Sequence, residues 1–343
     1  MLIVLAAGCS GSSESAPTTS ATTTSTTTPA TTTTVPPTTT TTTEPATTTT
    51  IAPAPVYPLT GQLVDDPVVA ARPALVVKID NAPAARPQTG FNAADIVFEE
   101  IVNDNLTRFA MVFQSHGSDP VGPIRSGRLQ DIDLFGMLNR PLFAWSGGNG
   151  TVTAAVRASD LIDLSAIRTP GYFRDKSRSK PHDLYSNTTS LWERTPYGIG
   201  APPQQFLYRA ADEAPQGTPH SGVAVKLDSI DVRWDWDAAS GTYLRTMEKQ
   251  DHNDGAGGQV TTHNVVVLAM EYVPGISDSP DAQTIGTGEA FVFAGGNYVH
   301  GTWTRADRLA PFTLTADDGT PMRLTPGRTF IELPRQNNTL PIP

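Results

Sequence analysis

The chain has 343 residues, a formal net charge of −10 and one cysteine, Cys9. An acidic balance argues against a nucleic-acid partner, whose phosphates favour a basic surface. A lone cysteine excludes an intramolecular disulfide and leaves the folded region without a thiol nucleophile or thiolate metal ligand.

Residues 1–9 read as the remnant of a lipoprotein signal. Leu2 to Gly8 is an apolar run closing in small residues before Cys9, like the bacterial lipobox, in which a peptidase cleaves ahead of a cysteine that carries lipid. Small residues let the chain lie extended and close to the peptidase. The run is shorter than the ~20 residues of a membrane span and has no basic stretch before it, so the precursor is expected to begin upstream. The expected location is extracytoplasmic, with Cys9 anchored by lipid to the outer face of the cytoplasmic membrane. Residues 10–55 are almost all Thr, Ser, Pro and Ala, with only Glu14 and Glu44 charged. Such a segment buries too little apolar surface to offset chain entropy and is expected to be a disordered tether. Its ~46 residues would reach on the order of 140 Å when extended, or roughly 40 Å as a coil.

The folded region is expected over residues 56–334, with 335–343 as a tail. Leu75–Asp80, Ala94–Glu100, Arg108–Phe113 and Leu142–Trp145 are β-rich runs. Helical spacing of Leu129, Ile132, Phe135 and Leu138 predicts a helix over Ser126–Leu138, and a second is expected over Thr153–Leu161. Strands alternating with helices favour a mixed sheet with packed helices in an N-terminal domain, residues 56–212. Polar and Pro/Gly residues around Ala211–Ser221 mark the boundary. From 213 to 334 strands dominate: Val223–Leu227, Val232–Trp236, Tyr243–Arg245, Asn264–Met270, Ala290–Phe293, Tyr298–Arg305 and Thr329–Leu333. Gly295-Gly296-Asn297 reads as a hairpin turn. The fold class is therefore α+β, with a mostly β C-terminal domain.

No phosphate loop, HExxH, EF-hand loop or Gly-x-Ser-x-Gly occurs. Two polar clusters remain. In the first, Glu99 and Glu100 end a strand and Gly122-Pro123-Ile124-Arg125-Ser126-Gly127-Arg128 leads into a helix. Adjacent strand residues point to opposite faces, so at most one Glu serves a given cleft. Arg125 and Arg128 share a face only if the helix has begun at Arg125, and would then suit an anion. In the second, Arg174 to Tyr185 is densely basic, and His182 is its best candidate for acid–base chemistry. A structural Arg–Glu network and a solvated loop are the plain alternatives. His252, Asp254 and His263 could ligate a metal, but their spacing is not diagnostic of a metal site, and no metal or cofactor is expected. Gly147–Gly150 reads as a turn, and Trp234, Trp236 and Trp303 as packing residues.

Taken in order, Lys78-Ile79-Asp80-Asn81, the stretch ending ADIVFEE at Glu100, Thr107-Arg108-Phe109 and Gly122–Ser126 form a distinctive set. Phe173-Arg174-Asp175, Pro181–Tyr185, Tyr243-Leu244-Arg245, Asn264–Val267, Gly301-Thr302-Trp303 and Pro326–Thr329 complete it. As a set they resemble the YerB-like lipoproteins, a family of unknown function numbered DUF3048, from Leu59 to Pro334. The resemblance implies N- and C-terminal family domains, secretion and a lipid anchor, but no reaction. Asp183 departs from the Asn expected there. Two functions stay open. One is an envelope module binding a wall polymer or another envelope protein through Arg125, Arg128 and the Arg174–His182 surface. The other is a hydrolase or transferase on an anionic envelope glycan, with Glu99 or Glu100 working with His182 while Arg125 holds the anion.

Overall fold

A computed structural model describes residues 21–26, 30, 54–103 and 105–337. The chain divides into two units, Met1–Ile51 and Ala52–Pro343. In the first, the described residues 21–26 and 30 are exposed and form neither helix nor strand. Cys9 and most of the tether expected over 10–55 lie outside the described residues. Among the described residues no helix is long and apolar enough to cross a membrane.

The second unit is built on one large sheet. Its strands are β1 (Leu75–Asp80), β2 (Ile96–Ile101), β3 (Thr107–Phe113), β4 (Leu142–Trp145) and β5 (Ile162–Ser165). Three strands of a smaller sheet follow: β6 (Gly222–Leu227), β7 (Ile230–Asp237) and β8 (Thr242–Met247). The large sheet resumes with β9 (Asn264–Leu268), β10 (Gly286–Ala294), β11 (Asn297–Arg305), β12 (Thr313–Ala316) and β13 (Thr329–Leu333). The large sheet runs β12-β11-β10-β9-β13-β2-β3-β1-β4-β5, with the short strand Thr218–Pro219 added on β11. β13, last in sequence, is parallel to both neighbours, β9 and β2. The sheet thus takes strands from both sides of residue 212, and the mixed α+β class holds.

Both faces of this sheet are covered, which explains the continuous apolar runs in its central strands. One face carries Val76, Phe98, Val112, Phe143 and Ile331 against the helix α1 (Gln130–Phe135) and its continuation through Leu138. The opposite face carries Val77, Val97, Phe109 and Phe330 against Val225, Val232, Trp234 and Tyr243 of the smaller sheet. Each large apolar side chain buried here contributes about 1.5–3 kcal/mol.

Several bounds differ from the sequence reading. The helix expected from Ser126 begins at Gln130, because the backbone before it pairs with β1 instead: Arg125 N donates to Lys78 O at 2.8 Å. Helix α2 spans Gly150–Ala158, its start fixed where Asn149 Oδ1 accepts from Val152 N at 2.9 Å. β5 and β12 carry too little periodicity to be read from sequence. The β10–β11 hairpin turns at Gly295-Gly296, whose φ values of 60° and 80° are the left-handed pair a tight hairpin favours.

Candidate functional site

The site grows from the end of β1. Lys78 and Asp80 share the face of β1 that turns towards α1, and Asp80 is the strand's last residue. Pro123–Arg125 runs beside that end, with Asp80 N donating to Pro123 O at 3.0 Å. A third layer follows, where Ile124 N donates to Leu184 O at 2.6 Å. These backbone bonds bring Arg125 and His182 onto one carboxylate. Asp80 Oδ2 lies 2.7 Å from His182 Nδ1 and 3.1 Å from Arg125 Nε, and Asp80 Oδ1 accepts from Ala82 N at 3.1 Å. The Arg125 contact is an ion pair without an aligned hydrogen bond.

Phe173–Arg174 pairs antiparallel with Leu184–Tyr185, which sets Arg174 opposite Leu184. The Arg174 guanidinium forms a close ion pair with the buried Asp183. Here the departure from Asn has a consequence, since Asp183 supplies the charge that holds Arg174. Arg125, Ser146, Ile167, Tyr172, Phe173 and Arg174 line a groove of about 410 Å³. The side chain of Arg125 is 27% exposed and that of Arg174 50%. The terminal nitrogens of Arg125 make no hydrogen bond to any described residue. Ile167 and Phe173 give the groove an apolar rim, and the exposed Arg168, Lys176 and Lys180 lie beside it in sequence. Behind Arg125, burial and the neighbouring Arg128 and Arg125 charges push the Arg108 guanidinium down to about 9.

The other expected site residues lie elsewhere. Glu99 and Glu100 do point to opposite faces of the sheet, but both are fully buried and neither lines the groove. Glu99 is paired with Arg245 and accepts from Thr107 Oγ1 at 2.5 Å. Glu100 lies 2.5 Å from Lys78 Nζ and accepts from Gln130 Nε2 at 2.6 Å. Burial raises Glu100 to about 7, with Lys78 pulling it down and Asp131 pushing it up. Glu332, beside Glu99, is raised well above the usual carboxylate range by burial and then by the Glu99 charge. Arg128 does not share a face with Arg125. It donates to Ser279 Oγ at 2.9 Å and Asn103 Oδ1 at 2.5 Å and braces the loops on the α1 side.

His252 is buried, with Nε2 3.0 Å from Gln88 Oε1, while Asp254 caps the backbone of Gly90 and Asn92. Among the described residues no group of three His, Cys, Asp or Glu is placed to hold a metal. Trp234 donates to Glu332 and Trp303 to Ala269 O, both within the core. Asp80 was missed as a site residue by sequence reasoning. Its signal was a carboxylate closing a buried strand, apolar but for Lys78, which demands a cationic partner.

Comparison with known proteins agrees with this architecture. Residues 59–198 match the family described as protein of unknown function (DUF3048) N-terminal domain, and residues 223–331 match its C-terminal domain. The chain is 25% identical over 288 residues to "Putative lipoprotein YerB" of Bacillus subtilis (strain 168), covering 80% of this chain and 85% of that one. The crystal structure of YerB protein from Bacillus subtilis superposes with a TM-score of 0.74 at 21% identity, covering 84% of this chain and 99% of that one. That structural likeness is one of fold.

Proposed function

The chain belongs to the DUF3048 family, and from that premise we propose that it is a lipid-anchored envelope protein whose Arg125–Arg174 groove binds an anionic wall polymer. The anchor is a lipid on Cys9 at the outer face of the cytoplasmic membrane, and the Thr/Pro segment carries the folded unit into the wall. The lipobox-like sequence and the relative named as a lipoprotein support this part of the reading. Metabolic labelling with a clickable fatty acid checks it, since Cys9→Ser should abolish the label.

The observation that carries the binding reading is Arg125. Its guanidinium is held at Nε by Asp80, while its terminal nitrogens make no hydrogen bond to any described residue, beside a groove that Arg174 also lines. A guanidinium fork presents parallel donors that match carboxylate or phosphate oxygens. The apolar rim at Phe173 and Ile167 suits the carbon skeleton between successive charges of a polymer.

A charge-assisted hydrogen bond contributes about 1.5–3 kcal/mol. Arg125→Gln is therefore expected to weaken binding of a glycerol phosphate oligomer by roughly ten-fold or more. Binding should also weaken as salt rises. Equal affinity of Arg125→Gln and the parent protein, measured by calorimetry, would sink the proposal.

A further inference from the structure

We infer that the Asp80–His182 pair makes the same groove a catalytic site for a phosphodiester that bears a hydroxyl next to its esterified carbon. This inference rests on the anion-binding reading and adds a reaction to it.

The geometry supplies the parts of a metal-independent phosphoryl transfer. Asp80 is buried and fixed at both oxygens, and Oδ2 holds His182 Nδ1 at 2.7 Å. A carboxylate at Nδ1 keeps the proton there and leaves the Nε2 lone pair as the base. Nε2 makes no hydrogen bond to any described residue. The side chain is 17% exposed, and its Nδ1 edge faces the buried Asp80. Arg125 Nε meets the same Asp80 oxygen, which brings the guanidinium and the imidazole onto one carboxylate, and the terminal nitrogens of Arg125 make no hydrogen bond to any described residue. Pro181, immediately before His182, lines the groove with Arg125 and Arg174. A base adjoining a guanidinium with open donors suits a phosphate better than a neutral ester, because the negative charge is present before reaction begins.

In the step, His182 Nε2 takes the proton of the neighbouring hydroxyl. The hydroxyl oxygen forms a bond to phosphorus as the bond from phosphorus to the leaving polyol oxygen breaks. The proton then passes from His182 to that leaving oxygen. Products are a cyclic phosphodiester and a free alcohol, so atoms and electrons balance without a co-reactant. Arg125 binds the non-bridging phosphate oxygens, and Asp80 acts as a positioning residue through His182.

The test uses the purified full-length chain and two probes. Glycerol 4-nitrophenyl phosphodiester carries the neighbouring hydroxyl; methyl 4-nitrophenyl phosphodiester lacks it. The expected result is nitrophenol release from the first only, with cyclic glycerol phosphate seen by phosphorus NMR. Loss of the general base in His182→Gln should cut release by about 100-fold or more. Circular dichroism and oligomer binding report whether that variant is still folded. Asp80→Asn should lower kcat more than it changes KM while circular dichroism shows the same folded fraction as the parent, which separates the effect from simple loss of folded protein. Oligomer binding without nitrophenol release overturns the reaction and leaves the binding reading standing. Absence of both overturns both, and His182→Gln as active as the parent overturns the role of His182.

Discussion

Replacing Glu100 by Gln tests the electrostatics that fix this fold beneath the groove. Lys78, Glu100 and Asp131 are fully buried together, one ammonium with two carboxylates, at 2.5 and 2.8 Å from Lys78 Nζ. With all three groups ionised the trio carries one negative charge more than it can neutralise, and desolvation penalises that charge. Burial first, offset by Lys78 and reinforced by Asp131, raises Glu100 from 4.5 to about 7. The sign follows. The folded state holds a proton on Glu100 that the unfolded chain releases near 4.5. The stabilisation is fully present below that value and is lost as pH rises through about 7. Between pH 5 and 8 the loss is on the order of 2–3 kcal/mol. Gln cannot ionise, so Glu100→Gln removes this slope. For a unit of this size, that corresponds to roughly 3–5 °C. Thermal melts of both proteins at pH 5, 6, 7 and 8 give the readout. The Tm of the variant minus that of the parent should rise from pH 5 to about 7 and then level off. Parallel pH dependences would show that Glu100 is ionised in the folded protein throughout and would refute the reasoning.

Three other substitutions have defined outcomes. Arg245→Met leaves Glu99 and Glu332 buried together without their cation, and a loss of about 3–5 kcal/mol is expected in denaturant unfolding. Adding Glu99→Gln should recover part of it. Asp183→Asn removes the counter-charge of the half-exposed Arg174. Oligomer affinity should rise a few-fold, and stability should change by less than about 1 kcal/mol because such pairs are weak. Gly301→Ala would place a Cβ 2.0 Å from Thr315 O between β11 and β12. Forcing that contact should cost about 1–3 kcal/mol, visible as a lower Tm.

Much of the fold was legible wherever residues obeyed a period or filled a run. Leu75–Asp80, Leu142–Trp145 and Thr329–Leu333 stand as read, because apolar runs of that length bounded by turns are buried strands. The place of Thr329–Leu333 between β9 and β2 was not legible. Pairing over such a separation depends on which buried edges remain, and no local pattern encodes that. The alternation rule did place Glu99 and Glu100 on opposite faces. It could not reveal that Arg245 and Lys78, distant in sequence, would enclose them. Arg125 and His182 stood out by type, but their meeting depends on Asp80 and on two short backbone pairings. Arg128 followed a helical register that the chain does not adopt until Gln130.

The most direct measurement is a structure of the full-length protein with a short glycerol phosphate oligomer. The account predicts a phosphate against the terminal nitrogens of Arg125, with the chain running along the groove past Phe173 towards Arg174. An oligomer bound on another surface, with the groove left vacant, would contradict it.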